Sequence, residues 1–444
     1  MVCGYLRVKK TGLIREVVMG EKRMGVSRTG GGITIQLSLV GLVLACVALV
    51  VVVGLLSFSL LRSRPVGNVK GDPSDTISDS ASEPDVPPAE IPPWGELIVN
   101  DIELEQPEEY VAFEIETNRM PTWVFAEMTP DKVRALMLSC GMPPEQVARA
   151  LSRQLAQVTV SNTVIHPDDE LILSLSAKTR AKLYGKLAYN QINHYMRFPF
   201  CYPGRSAEAL FQESSVAPGI VALVKQLLYP RGDALCFSDY EMVVRRAPDE
   251  EERLDLIKTL SRQSAVQVRL RIRRDTDIEK LLGYWGRGVK AKDIRPLLES
   301  LKRLPEGGNA SILHLLPQFA RQRLYTFPLP SKLEETAESC HWSTLNFFNE
   351  TPDDRFANSD FISTYLATNY YQVARPTLYG DVVFFLDARN EAVHSAVHIA
   401  ADIVFTKNGN NYAQPWMLMH LKDLLSMYTT DNPPQVVVYR SKNS

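Results

Sequence analysis

The chain has 444 residues, of which 45% are apolar and 23% charged, with a formal net charge of −2. That is long enough for two or three domains with real cores, and too evenly charged for an electrostatic case for nucleic acid as partner. The six cysteines are widely spaced with no C-x-x-C, so they form neither a zinc ribbon nor a dense disulfide framework.

From Thr29 to Leu61 there is no charged residue, and Leu37 to Leu61 is almost wholly aliphatic. Such a run crosses a bilayer as a tilted helix and exceeds the apolar core of a signal peptide. Arg7, Lys9, Lys10, Arg15, Lys22, Arg23 and Arg28 precede it, against Arg62, Arg64 and Lys70 just after it. This bias puts the N-terminus in the cytoplasm. The expectation is a cytoplasmic tail over 1–32, a single transmembrane helix over 33–61 in the inner membrane, and extracytoplasmic domains beyond. Residues 62–94 carry Pro65, Pro73, Pro84, Pro87, Pro88, Pro92 and Pro93 among Ser, Asp and Glu, and read as an extended, disordered tether. Disulfides form in that compartment, and a pairing among Cys140, Cys201 and Cys236 is open, with Cys340 left free.

Residues 95–327 read as an α+β region. Tyr110 to Ile115 and Thr122 to Phe125 look like strands. Thr129-Pro130-Asp131 caps a helix to Ser139 with Gly141 as its stop, and Pro143-Pro144 opens another. Leu171 to Leu175 is a short apolar segment, and Ser176 caps a helix to about Tyr195. Cys201 to Gly204 is a turn, and Ala207 to Phe211 and Val216 to Leu228 are helical. The clearest strand is Ala265 to Arg273, with Val266, Val268, Leu270 and Ile272 on one face and Gln267, Arg269, Arg271 and Arg273 on the other. That arginine ladder reads as a solvated sheet face, or as a hold for an anionic envelope polymer. Ile278, Leu281, Leu282 and Trp285, then Ile294, Leu297, Leu298 and Leu301, fall at helical spacing on core faces. His166 and His194 have no ligand partner at metal spacing, and no metal or cofactor is expected.

The C-terminal region, 328–444, carries the pattern with chemistry. Ser339 is a good N-cap, so Cys340 opens a helix whose dipole and free N–H groups favour a thiolate. Phe361 to Leu366 is a short helix. Val382 to Leu386, Val393 to Ile399, Ile403 to Thr406, Trp416 to Leu421 and Gln435 to Tyr439 read as strands of an antiparallel sheet, with turns at Arg389-Asn390-Glu391 and Asn408-Gly409. His394 and His398 lie four apart on one strand, about 13 Å from each other, so they share neither one thiol nor one metal. His341 adjoins Cys340 but points elsewhere on its helix, and His420 has no partner pattern.

This order resembles the NlpC/P60 family of papain-like cysteine hydrolases. The matching pieces are Cys340 at a helix start, Gly380-Asp381-Val382-Val383-Phe384-Phe385, and His394 ahead of Ser395 to Ile399. The region also resembles membrane-anchored bacterial envelope proteins that share Cys-His-Trp and Val-Phe-Thr-Lys-Asn-Gly segments. The resemblance implies a papain-like α+β domain with Cys340 as nucleophile, His394 as base, and Thr406 or Asn408 as the residue orienting that base. It also implies a peptidoglycan-type peptide as substrate. Ser339-Cys340-His341-Trp342 departs from the small residues that usually follow the family's cysteine. Two functions are therefore expected: an envelope thiol hydrolase cleaving an amide, or a catalytically inactive papain-like domain serving as a binding or assembly module. An acyltransferase using the same pair is a third.

Overall fold

A computed structural model of the chain describes residues 92–111, 119–159, 162–287, 291–329, 338–409, 414–429 and 433–443. β1 (Glu96–Leu104) leads into a small sheet of β2 (Trp123–Ala126), β3 (Ala156–Val158) and β4 (Asn162–Ile165), with β4 in the middle. The Pro130–Ser139 and Pro144–Ala150 helices form where the proline and cap signals place them, joined through Gly141 at φ +92°. Only glycine adopts that conformation without a Cβ penalty. The expected strand at Tyr110 is not formed, since Tyr110 and Val111 end the short Glu108–Val111 helix; residues 112–118 lie outside the described residues.

Ser176 caps the Ala177–Leu187 helix by accepting from the Thr179 N–H. The helix stops at Leu187 because Asn193 Nδ2 donates to the Leu187 carbonyl at 2.9 Å while the same side chain pairs with both backbone groups of Val124. The expected turn at Cys201 is instead β5 (Phe200–Pro203), which with β6 (Tyr229–Arg231) and β7 (Ala234–Phe237) makes a second small antiparallel sheet. One apolar core running from Val111 to Leu260 holds these elements. Arg180 is wholly buried beside it and pairs with Asp239 at 3.3 Å.

β8 (Gln263–Ile272) pairs with all of β1 through its residues Gln263 to Arg271, and with β9 (Gly308–Ser311) on its other edge. Val266, Val268, Leu270 and Ile272 are buried, each contributing about 1.5–3 kcal/mol, while Arg269 and Arg271 take the other side. Arg273 ends the ladder on Glu96, to which it donates at 2.7 and 2.8 Å. The Ile278–Trp285 and Ala291–Arg303 helices cover the apolar face. Their core also contains Val397, Ile399, Phe405 and Leu418, so it runs continuously across the expected domain boundary at 327/328.

The C-terminal sheet is six-stranded, in the order β10 (Tyr370–Val373), β15 (Gln435–Ser441), β11 (Val382–Leu386), β12 (Ala392–Ala400), β13 (Ile403–Lys407), β14 (Trp416–His420), and every pairing is antiparallel. The Cys340–Leu345 helix packs Trp342 and Leu345 onto one face with Val397 and Phe405. On the other, Leu424 and Met427 of the Leu421–Tyr428 helix pack with Phe385, Ala396, Val404 and Met417.

The class is α+β, but the expectation of a single N-terminal transmembrane helix is corrected. Among the described residues no helix is long and apolar enough to cross a membrane. The longest of them, Ala291–Arg303, has 13 residues, against about 20 needed to span. The 33–61 run, the 1–32 tail and most of the 62–94 tether lie outside the described residues.

Candidate functional site

The Gly380-Asp381 motif is the hinge on which the C-terminal sheet is set. Asp381 accepts from Arg440 Nε at 2.8 Å and Nη2 at 2.7 Å, and from the backbone N–H groups of Thr377 and Leu378, each at 2.9 Å. It locks β15 to the start of β11. Burial alone raises this carboxyl, but the Arg440 hydrogen bonds and the two N–H donors outweigh that, so its pKa is lowered.

The strands carry alternate side chains to opposite faces, and this decides the fate of the expected Cys340–His394 pair. Ser395 meets the Cys340 helix: its hydroxyl donates to Thr344 Oγ1 at 3.1 Å and lies 2.9 Å from His341 Nδ1. His394, the next residue, therefore projects to the other face. There it stacks on Tyr428 of the Leu421–Tyr428 helix, with ring centroids 4.3 Å apart, and tilts against Phe385. The sheet stands between the two predicted catalytic groups.

His394, Thr406 and Asn408 do come together. His394 Nε2 lies 2.8 Å from Thr406 Oγ1, and the Thr406 hydroxyl donates to Asn408 Oδ1 at 3.3 Å. Thr406 thus accepts from the ring, which assigns the imidazole proton to Nε2. Nδ1 of His394 is buried and has no hydrogen-bond partner among the described residues. Asn408 Nδ2 points at the sulfurs of Met419 and Met427, at 3.4 and 3.5 Å. The chain fixes the orientation of the imidazole, and among the described residues no thiol or further hydroxyl hydrogen-bonds to it.

Cys340 is fully buried at 0% exposure, and its hydrogen-bonding histidine is its neighbour His341. Burial pulls the His341 pKa down, but the charge and hydrogen bond of Cys340, with a further bond to the Ala392 carbonyl, raise it above the ordinary histidine value. The ring lies flat on Phe384, at 5.6 Å between centroids and 17° between planes. Helix geometry alone points His341 away from the thiol. The short helix and the cross-strand pair Phe384–Ser395 bring it back. His398 sits with its ring nitrogens 3.0 and 2.9 Å from the Leu378 and Ala401 carbonyl oxygens, and His420 Nδ1 lies 2.8 Å from Asp402. Among the described residues no group of three His, Cys, Asp or Glu is placed to hold a metal.

The recess beside these residues is a cleft of about 360 Å³, where the β12 start and the Leu421–Tyr428 helix face the middle region. Tyr189, Phe198, Val393, Met427 and Tyr428 line it, with Arg197, Arg231 and Arg389 among them. Tyr428 is the wall that His394 backs. Arg231 Nε is held on the Thr429 carbonyl at 2.8 Å, and Arg389 pairs with Glu391 at 3.1 Å. No residue of the expected active site lines this cleft, and no spacing in the sequence announces it, because its walls come from segments some 200 residues apart. No family model, no curated protein and no solved structure matches the chain.

Proposed function

We propose that the C-terminal region is a non-hydrolytic papain-like module that binds a peptide of the cell envelope, with the cleft behind Tyr428 as its ligand site. The observation that carries this reading is the partition of Cys340 and His394 to opposite faces of one sheet, with the thiol fully buried. A base cannot activate a nucleophile beyond hydrogen-bond reach. The cleft offers what a binding site needs instead: an apolar wall with a few charged groups to orient a ligand. Its arginines favour a ligand that combines an apolar body with a carboxylate, as peptidoglycan-type stem peptides do.

The test uses anilinonaphthalenesulfonate, an apolar anion, as a fluorescent probe of the cleft. Saturable binding displaced by stem peptides, and weakened about tenfold in Arg231→Met by loss of one charge-assisted contact, supports the reading. Probe binding that is non-saturable, or equal in the variant, overturns it. One observation favours a second reading. The Cys340–His341–Ser395 chain has the order nucleophile, base, orienter, and a thiol hydrolase built on it would make Cys340 reactive in the folded protein.

A further inference from the structure

Two of the cysteines left open by the sequence meet on a single rung of the second small sheet. Cys201 in β5 and Cys236 in β7 are directly opposed in the antiparallel register, and their sulfurs are 3.0 Å apart. Opposed residues on neighbouring strands have Cα and Cβ separations inside the range a disulfide needs. The two sulfurs differ in surroundings. Cys236 is on the central strand and fully buried, whereas Cys201 is on the edge strand, half-buried, and forms part of the cleft wall near Arg231.

We propose that Cys201 and Cys236 are a redox-active dithiol, in which Cys201 is the thiol that meets an external disulfide oxidant through the cleft and Cys236 is the thiol that resolves it. This stands independently of what the cleft binds. The Cys201 thiolate attacks one sulfur of the oxidant's disulfide, forming a mixed disulfide and expelling one thiol. Cys236 then gives up its proton and attacks the Cys201 sulfur, which forms the Cys201–Cys236 bond and expels the second thiol. Two protein thiols lose two electrons and two protons, and one oxidant disulfide becomes two thiols.

The electrostatics agree with this division of labour. The hydrogen bond from Cys236 lowers the Cys201 pKa against the effect of burial, with Arg231 adding to it, while burial and the Cys201 charge push Cys236 up. A lowered pKa in the less buried thiol and a raised one in the fully buried thiol is the order that attack followed by resolution requires.

The experiment equilibrates the full chain with mixtures of reduced and oxidised glutathione, quenches in acid, alkylates with N-ethylmaleimide and maps the peptides by mass. The expected result is a Cys201–Cys236 linked peptide that grows with oxidant and is reversed by dithiothreitol, with Cys140 and Cys340 recovered as thiols. Cys236→Ser should accumulate glutathione on Cys201, and Cys201→Ser should leave Cys236 unmodified. Recovery of both as free thiols under oxidised glutathione overturns the proposal. Glutathione on Cys236 in the Cys201→Ser protein overturns the assigned roles. Should Cys236→Ser not fold, the wild-type map and Cys201→Ser decide.

Discussion

Replacing Asp381 by asparagine keeps the shape of the side chain and removes its charge at the point where β11 and β15 are joined. Four donors converge on the carboxylate, two from Arg440 and one each from the Thr377 and Leu378 backbones. An asparagine offers one acceptor oxygen and turns an NH₂ group toward the remaining donors. Asp381 is 1% exposed and the Arg440 side chain 17%, so the largely buried guanidinium loses its counter-charge and keeps its bond to Thr377 Oγ1 at 2.6 Å. Breaking a buried pair from one side costs about 3–5 kcal/mol. The pH dependence follows from the lowered Asp381 pKa. A carboxyl whose folded pKa is below its unfolded value of about 3.9 adds stability above that pH and loses it as pH falls through the folded value. The gap between wild type and Asp381→Asn is therefore full at neutral pH and closes in acid. Urea unfolding of wild type, Asp381→Asn, Arg440→Gln and the double variant across pH measures the gap and its coupling. A loss under about 1 kcal/mol at neutral pH, or a gap that persists unchanged into acid, would show that the Asp381–Arg440 pair does not hold the two strands together.

Gly380→Ala should cost about 2–4 kcal/mol, because φ is +93° and the new Cβ would lie 2.5 Å from the Phe348 ring. Adding Phe348→Ala should recover the clash and not the backbone strain, as read by the same unfolding assay. Thr406→Val should destabilise by about 1–2 kcal/mol by leaving the buried His394 Nε2–H without its acceptor, while the rate of Cys340 alkylation in unfolded protein stays unchanged. Oxidation of Cys201 and Cys236, whose chain separation is 35 residues, should raise the unfolding free energy by about 3–4 kcal/mol through loop closure, measured as a shift of the urea midpoint that dithiothreitol removes.

What was legible in the sequence was local. Thr129, Ser176 and Ser339 mark helix starts where the structure has them, and the alternation of Val266 to Ile272 marks a strand with its buried face. The Leu421–Tyr428 helix was hidden because it follows the strand Trp416–His420 with no intervening turn and no side-chain N-cap to mark its start. The end of the Ser176 helix was set by Asn193 reaching Val124, a contact across 69 positions, which no local signal carries. The candidate site divides the same way. The His394, Thr406 and Asn408 cluster was legible because Thr406 lies on the strand that follows the one bearing His394, after a short connection, and Asn408 lies just past its end. Whether Cys340 faced them depended on the parity of β12 relative to a distant helix. A register difference of one residue exchanges His394 with Ser395 at that helix, so motif order alone left the decisive fact open.

The most direct test is the rate of iodoacetamide alkylation at Cys340 in the native full chain, followed by peptide mapping as a function of pH, with His394→Ala and His341→Ala beside it. Cys340 should be protected at all pH values where the protein is folded, react on addition of denaturant, and be indifferent to His394→Ala. Rapid alkylation in the folded protein below the ordinary thiol pKa of about 8.5, slowed by removal of either histidine, would contradict the non-hydrolytic reading and establish an activated nucleophile.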